Sequence, residues 1–126
     1  MATNYVQAGE KIDWNNDSGS AVSSGDVVVV GGTDDGMICI ASTDIANGSN
    51  GTLYTEGVFE VAKVSGAVIA NGEFVMWDSS ASEFDDNQAT AASGDVMDGA
   101  IAWEDKGSGT TTIKIKLRGC PGALTA

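Results

Sequence analysis

Histidine is absent from the 126 residues, proline occurs once, cysteine twice, and only six residues are basic against 18 acidic ones. Without histidine, Ser-His-Asp and Cys-His nucleophilic systems, histidine metal sites and the commonest general base are excluded. A phosphate-cradling G-x-x-x-x-G-K-[ST] motif is missing too. The glycine clusters Gly31-Gly32 and Gly107-Ser108-Gly109 are not followed by a lysine and a hydroxyl, so phosphate cradling in the P-loop manner is excluded and an ATPase is not expected. Cys39 and Cys120 lie far apart and form no C-x-x-C pair, which excludes a zinc knuckle or thioredoxin-like site. Both are expected to be reduced, with Cys39 acting as a small hydrophobe inside Met37-Ile38-Cys39-Ile40.

Long hydrophobic runs are absent as well. The longest aliphatic run, Val27-Val28-Val29-Val30, falls far short of the ~18 residues of a membrane span. A soluble protein with no membrane partner is therefore expected. The first residues show no basic segment followed by a hydrophobic stretch, so no secretory signal is expected and synthesis in a cytoplasm is. On that basis the tandem Asn-x-Ser/Thr pattern at 47–52 reads as Asn-Gly turn chemistry, not as glycosylation.

The formal net charge is −12. Such a field repels polyanions, so direct nucleic-acid binding is not expected. Asp34-Asp35, Asp85-Asp86 and the acids at 95–98 could supply paired carboxylates or calcium ligands, but none follows the D-x-D-x-D-G-x₅-E spacing. Aspartates at loop tips are normally solvated turn residues. No metal, no cofactor and no enzymatic activity are expected.

Seventeen glycines, with frequent Ser, Thr, Asn and Asp, punctuate runs rich in Val, Ile and aromatics. That is strand-and-turn spacing. Strands are predicted over 5–8, 11–14, 26–30, 37–41, 51–54, 58–64, 73–77, 100–104 and 110–118, with 83–93 a loop or short strand. The fold class expected is all-β: a single small β-barrel or β-sandwich domain over 1–126, with long Gly-rich loops and an extended N-terminal arm within 1–10. The valine run does not alternate, which suits a strand inside a wall or one whose outer face meets a partner.

The clearest pattern is C-terminal. Ile113, Ile115 and Leu117 point to one face of an extended strand and Lys114, Lys116 and Arg118 to the other. This strand is expected to pair with 100–104 across Lys106-Gly107-Ser108-Gly109. Its cations either neutralise acids across the sheet or form a patch for an acidic partner. The three Trp, three Phe and two Tyr are spread singly and read mainly as core, although Tyr5 and Trp14 suit an interface anchor.

Three segments carry a resemblance: Met1-Ala2-Thr3-Asn4-Tyr5-Val6-Gln7-Ala8-Gly9, Ser24-Gly25-Asp26-Val27-Val28-Val29-Val30-Gly31 and Gly57-Val58-Phe59-Glu60-Val61-Ala62-Lys63. With Asn71-Gly72-Glu73-Phe74-Val75-Met76-Trp77-Asp78, the Gly-Ala-Ile-Ala run at 99–102 and the Thr-rich basic strand at 110–117, the chain resembles the capsid decoration (cement) proteins of tailed phages. Residues 18–25, 31–36 and those after Arg118 fit the pattern poorly, and Ala62 stands where the family often has proline.

The resemblance implies a virion protein, commonly a homotrimer, on the outer capsid surface, where it binds the major capsid protein and holds neighbouring subunits together. A recombinase-like label carried by some members does not suit a chain lacking an ATP-binding loop and a DNA-attracting surface. Two binding devices are expected. One is the N-terminal segment, with Thr3, Asn4, Tyr5, Val6, Gln7 and Trp14 as capsid-binding residues that add a strand to a sheet edge. The other is an oligomer interface through Val28, Val30, Lys114, Lys116 and Arg118. A carbohydrate- or receptor-binding β-module of a phage tail or fibre is the alternative, favoured by a concave face exposing two aromatics. A small carboxylate hydrolase is a second.

Overall fold

A computed structural model describes residues 3, 4 and 6–126. Ten strands follow one another: β1 (Lys11–Asn15), β2 (Val27–Gly31), β3 (Asp35–Ala41), β4 (Asn50–Tyr54), β5 (Glu56–Ala62), β6 (Phe74–Asp78), β7 (Glu83–Asp86), β8 (Val96–Ala102), β9 (Thr112–Arg118) and β10 (Gly122–Leu124). There is no helix among the described residues. All ten strands belong to one antiparallel sheet that runs β1-β4-β3-β10-β8-β6-β7, with β2 on the other edge of β3 and β9 joining β8 to β5.

The expected all-β class is what forms, and the glycine punctuation is the reason. Gly25, Gly48, Gly72, Gly94 and Gly109 all carry positive φ, at turns where a Cβ would be strained. The sheet then curls into a half-barrel. β5 pairs with β9 over seven residues, from Glu56↔Arg118 to Ala62↔Thr112. Just beyond β5, Lys63 makes a parallel bridge to Phe84 of β7, and the Val64 N–H donates to the Phe84 carbonyl at 2.9 Å. That contact draws the two ends of the five-strand curl together.

Two apolar clusters fill the sheet's faces. The larger holds Ile38, Ile40, Val75, Phe84, Val96, Ile113, Ile115 and Leu117 among others. The smaller holds Val28, Cys39, Ala41, Ile45 and Leu53, with Ile12, Trp14, Val22 and Val30 against it. Strand β3 lies between them, Ile38 and Ile40 serving one and Cys39 and Ala41 the other. This explains the non-alternating run at 37–40: a strand covered on both faces is apolar throughout. β2 is built the same way, with Val27 and Val29 toward the larger cluster and Val28 and Val30 toward the smaller.

Three elements differ from the sequence reading. Residues 6–8, predicted as strand, have no regular structure. β8 begins at Val96 instead of 100, and a short strand β10 follows Arg118. Between the pairs Val75↔Ala100 and Trp77↔Val96 the register shifts, so residues 97–99 bulge opposite Met76. A bulge breaks the alternation by which a strand is recognised.

Buried polar groups tie the loops down. Lys63 is fully buried, and its Nζ donates to the carbonyls of Val64 (2.8 Å), Thr110 (3.3 Å) and Gly107 (3.4 Å). Asn16, also fully buried, donates to the Ser20 and Ile45 carbonyls and accepts from the N–H and hydroxyl of Ser18. A satisfied buried amide of this kind fixes a loop that glycine and serine leave loose.

A candidate docking face

The sheet register places residues from four strands in one row. Val58 lies opposite Lys116, Lys116 opposite Ile101, and Ile101 opposite Phe74. Their neighbours Phe59, Ile115, Ala100 and Val75 pack in or against the larger cluster, so by alternation this row faces outward. Val58 is 46 %, Phe74 41 % and Trp103 49 % exposed. The outward side chains of Val58, Ile101 and Phe74 thus form one continuous row across the strands, with Lys116 among them and Trp103 beside it.

Cations lie on this face in an unusual way. The guanidinium of Arg118 stands 4.9 Å from the Phe74 ring centroid, and Nζ of Lys116 stands 5.6 Å from that of Trp103. Glu60 is opposite Lys114 and Glu56 opposite Arg118, yet among the described residues the only ion pair joins Lys106 to Glu104 at 3.7 Å. Two of the three charges of the last long strand, Lys116 and Arg118, therefore rest on aromatic rings, each contact worth about 0.5–1 kcal/mol, and among the described residues none of the three pairs with a carboxylate. Arg118 is also anchored, its Nη1 donating to the Asp98 carbonyl at 2.6 Å.

The other expected site residues lie elsewhere. Thr3, Asn4, Val6 and Gln7 are exposed, Val6 at 87 %, and Tyr5 lies outside the described residues. Trp14 is half-buried against the smaller cluster. Val28, 8 % exposed, and Val30 face that same cluster. A groove of about 510 Å³ remains open there, lined by Trp14, Asp17, Val22 and Val27–Gly31. Val28 and Val30 are covered by the smaller cluster on β2, which pairs with β3, whereas Lys114, Lys116 and Arg118 stand on β9, between β5 and β8. The sequence reading did not single out Phe74, Val58 or Ile101, because each reads as core in isolation.

The acids hold turns. Asp95, buried, accepts from the Ser79 N–H (3.0 Å) and the Ala92 N–H (2.9 Å). Asp86 accepts from the Gln88 N–H at 3.0 Å. No group of three or more acids or cysteines converges on a metal position among the described residues. Cys39 is fully buried, and burial pushes its thiol up to about 11, while Cys120 is exposed and both cysteines are free.

The described residues thus form an all-β scaffold with an outward row of apolar and cationic side chains. The family model of the phage cement protein matches residues 6–117, and the chain belongs to that family. Membership supports a structural, capsid-stabilising role in the phage virion. No curated protein matches the chain.

Proposed function

We propose that the protein binds the outside of a phage capsid as a homotrimer and stabilises contacts between major capsid subunits. The family match over 6–117 carries this reading, and the exposed row from Val58 to Phe74 supplies a surface suited to it. Such a role needs no catalytic group. Binding energy spread over a subunit junction suffices, and three docking patches on one trimer act at high effective concentration. Residues 1–126 act as one β domain, and the exposed residues at the N-terminus, within 1–10, act as an arm that pairs with a sheet edge of the capsid. The exposed aromatics Phe74 and Trp103 lie beneath cations, which suits protein contact better than sugar stacking.

The test is to add the purified protein to mature heads that lack it, then measure occupancy and resistance to heat. Saturable uptake and later head rupture on heating are expected; heads that never take up the protein overturn the reading. Removing residues 1–7 is expected to lower head affinity, and unchanged affinity rejects the arm.

A further inference from the structure

Among the described residues, β1, β2, β5 and β7 each have one edge that no other strand pairs with. An open edge invites a strand from another chain, and charged side chains are a common guard against it. β1 carries Lys11 and Asp13, β5 carries Glu56 and Glu60, and β7 carries Glu83, Asp85 and Asp86. β2, Val-Val-Val-Val-Gly, carries no charge.

The bare edge also presents its backbone. The Ala41 N–H donates to the Asp26 carbonyl and the Gly32 N–H to the Asp35 carbonyl. In the register Val28↔Cys39 and Val30↔Met37, alternation then gives Val28 and Val30 the bonds to β3 and turns the N–H and C=O groups of Val27, Val29 and Gly31 away from it. Among the described residues no backbone group pairs with these three. A cavity flanks the edge on each face of the sheet. One is the groove of about 510 Å³ with Trp14, Val22, Val28 and Val30 in its lining. The other, of about 370 Å³, reaches from Asp26 and Val27 to Val61 and Trp77 on the side of the larger cluster. A strand laid along these five residues, about 17 Å at ~3.4 Å per residue, sends alternate side chains into the two cavities.

We propose that β2 accepts an extended strand of a capsid subunit along its free edge, so that this sheet continues into the capsid. The inference rests on the capsid reading above and adds the surface and the form of the contact. A row of unpaired backbone donors and acceptors selects a strand over a helix or a folded surface, and flanking cavities select its alternate side chains. The incoming strand is apolar where it meets the Trp14 groove. It carries no acid, because Asp17 lines that groove and Asp26 and Glu60 line the other cavity. The same charges disfavour a second copy of this chain. A two-fold antiparallel β2–β2 pair would bring Asp26 of each copy toward Asp34 and Asp35 of the other, setting like charges together at both ends.

Hydrogen exchange read at single amides, on the dilute free chain and on the chain bound to mature heads, tests the contact. In the free chain the Val28 and Val30 amides are expected to be protected and those of Val27, Val29 and Gly31 to exchange fast. On heads the three fast amides are expected to slow about tenfold or more. Bound protein whose three amides stay fast overturns the strand contact and leaves the capsid reading standing, whereas heads that take up no protein overturn both. Slow amides in the dilute free chain mean an edge covered within the chain, and slowing that appears only when the free chain is concentrated assigns the edge to a second copy; either overturns the proposal. Val29→Pro removes one outward N–H and leaves the bonds of Val28 and Val30 to β3. It is expected to weaken head binding about tenfold, with protection at Val28 and Val30 reporting that β2 is still paired. A Val29→Pro chain that keeps this protection and binds heads like wild type also overturns the contact.

Discussion

Asn87 and Asp98 hold each other by two reciprocal hydrogen bonds: Asn87 Nδ2 donates to Asp98 Oδ1 at 2.6 Å, and the Asp98 N–H donates to Asn87 Oδ1 at 3.0 Å. Asp98 sits in the β8 bulge with φ of 57°, a left-handed conformation that Asp and Asn tolerate better than other side chains. The bulge leaves the Asp98 carbonyl open to the guanidinium of Arg118, which in turn lies over Phe74. A local backbone irregularity thereby sets one cation of the candidate docking face.

Asp98→Ala is expected to destabilise the fold by about 1–3 kcal/mol, from lost pairing plus left-handed strain. Asp98→Asn keeps both the conformation and an acceptor for Asn87, and is expected to stay close to wild type. Urea unfolding of the two variants measures the difference. Equal loss in both would show that the carboxylate charge, not the geometry, holds the bulge.

The alternation of Ile113, Ile115 and Leu117 with Lys114, Lys116 and Arg118 made β9 legible, because one strand facing one core writes its period into the chain. Its pairing with β8 was legible for the same reason: Ala100↔Leu117 and Ala102↔Ile115 continue that inward set across a glycine loop. Lys63 was not legible. A lysine reads as exposed, and this one is buried only because the carbonyls of Gly107 and Thr110, more than 40 residues away, converge on it. The docking face was half legible. Its cations were visible as a stripe, whereas the row joining Val58, Ile101 and Phe74 depends on the registers of three strand pairs, which no single segment encodes.

Thiol chemistry separates the two cysteines. Cys39 is buried with its thiol pushed up to about 11, and thiolate is the reactive form. Cys120 is exposed. A maleimide or disulfide reagent at neutral pH is expected to titrate one thiol in the native protein and two after denaturation. Two fast-reacting native thiols would contradict the packing of β3 between its clusters.

Asp78 makes stability depend on pH at the acid end. Its Oδ1 accepts from the Ser80 hydroxyl at 2.7 Å and from the N–H groups of Ser80 and Ala81 at 3.0 and 3.2 Å. The Ser80 hydroxyl is the main cause that holds its carboxyl below the ordinary 3.8. A carboxyl lowered by folding adds stability that is fully present above its unfolded value and is lost as pH falls through the folded one. Asp78→Asn keeps the acceptor oxygen but removes this titration. The melting-temperature gap between wild type and Asp78→Asn is therefore expected to shrink as pH drops from about 5 to about 2. A gap that stays constant would remove Asp78 from the acid response.

The C-terminal strand β10 lies between β3 and β8, pairing Gly122 with Gly36 and Ala123 with both Asp35 and Met97. Three glycines allow it. A Cβ on Gly122 would collide with the Met97 carbonyl oxygen and lie 2.9 Å from the Gly99 Cα, and a Cβ on Gly36 would come within 2.8 Å of Val29 Cγ1. The obstacle at Gly122 is backbone, which cannot turn aside as a flexible side chain can. Gly122→Val is therefore expected to expel β10, expose the facing edges of β3 and β8, and cost about 1–3 kcal/mol or more. β10 lies beyond the 6–117 family match, so a chain ending at Arg118 makes a direct comparison. If β10 closes the sheet, both variants should show faster hydrogen exchange at the amides of β3 and β8, while the β5–β9 pair stays protected. Uniform loss of protection across all strands would instead mean that the half-barrel cannot form without its last strand.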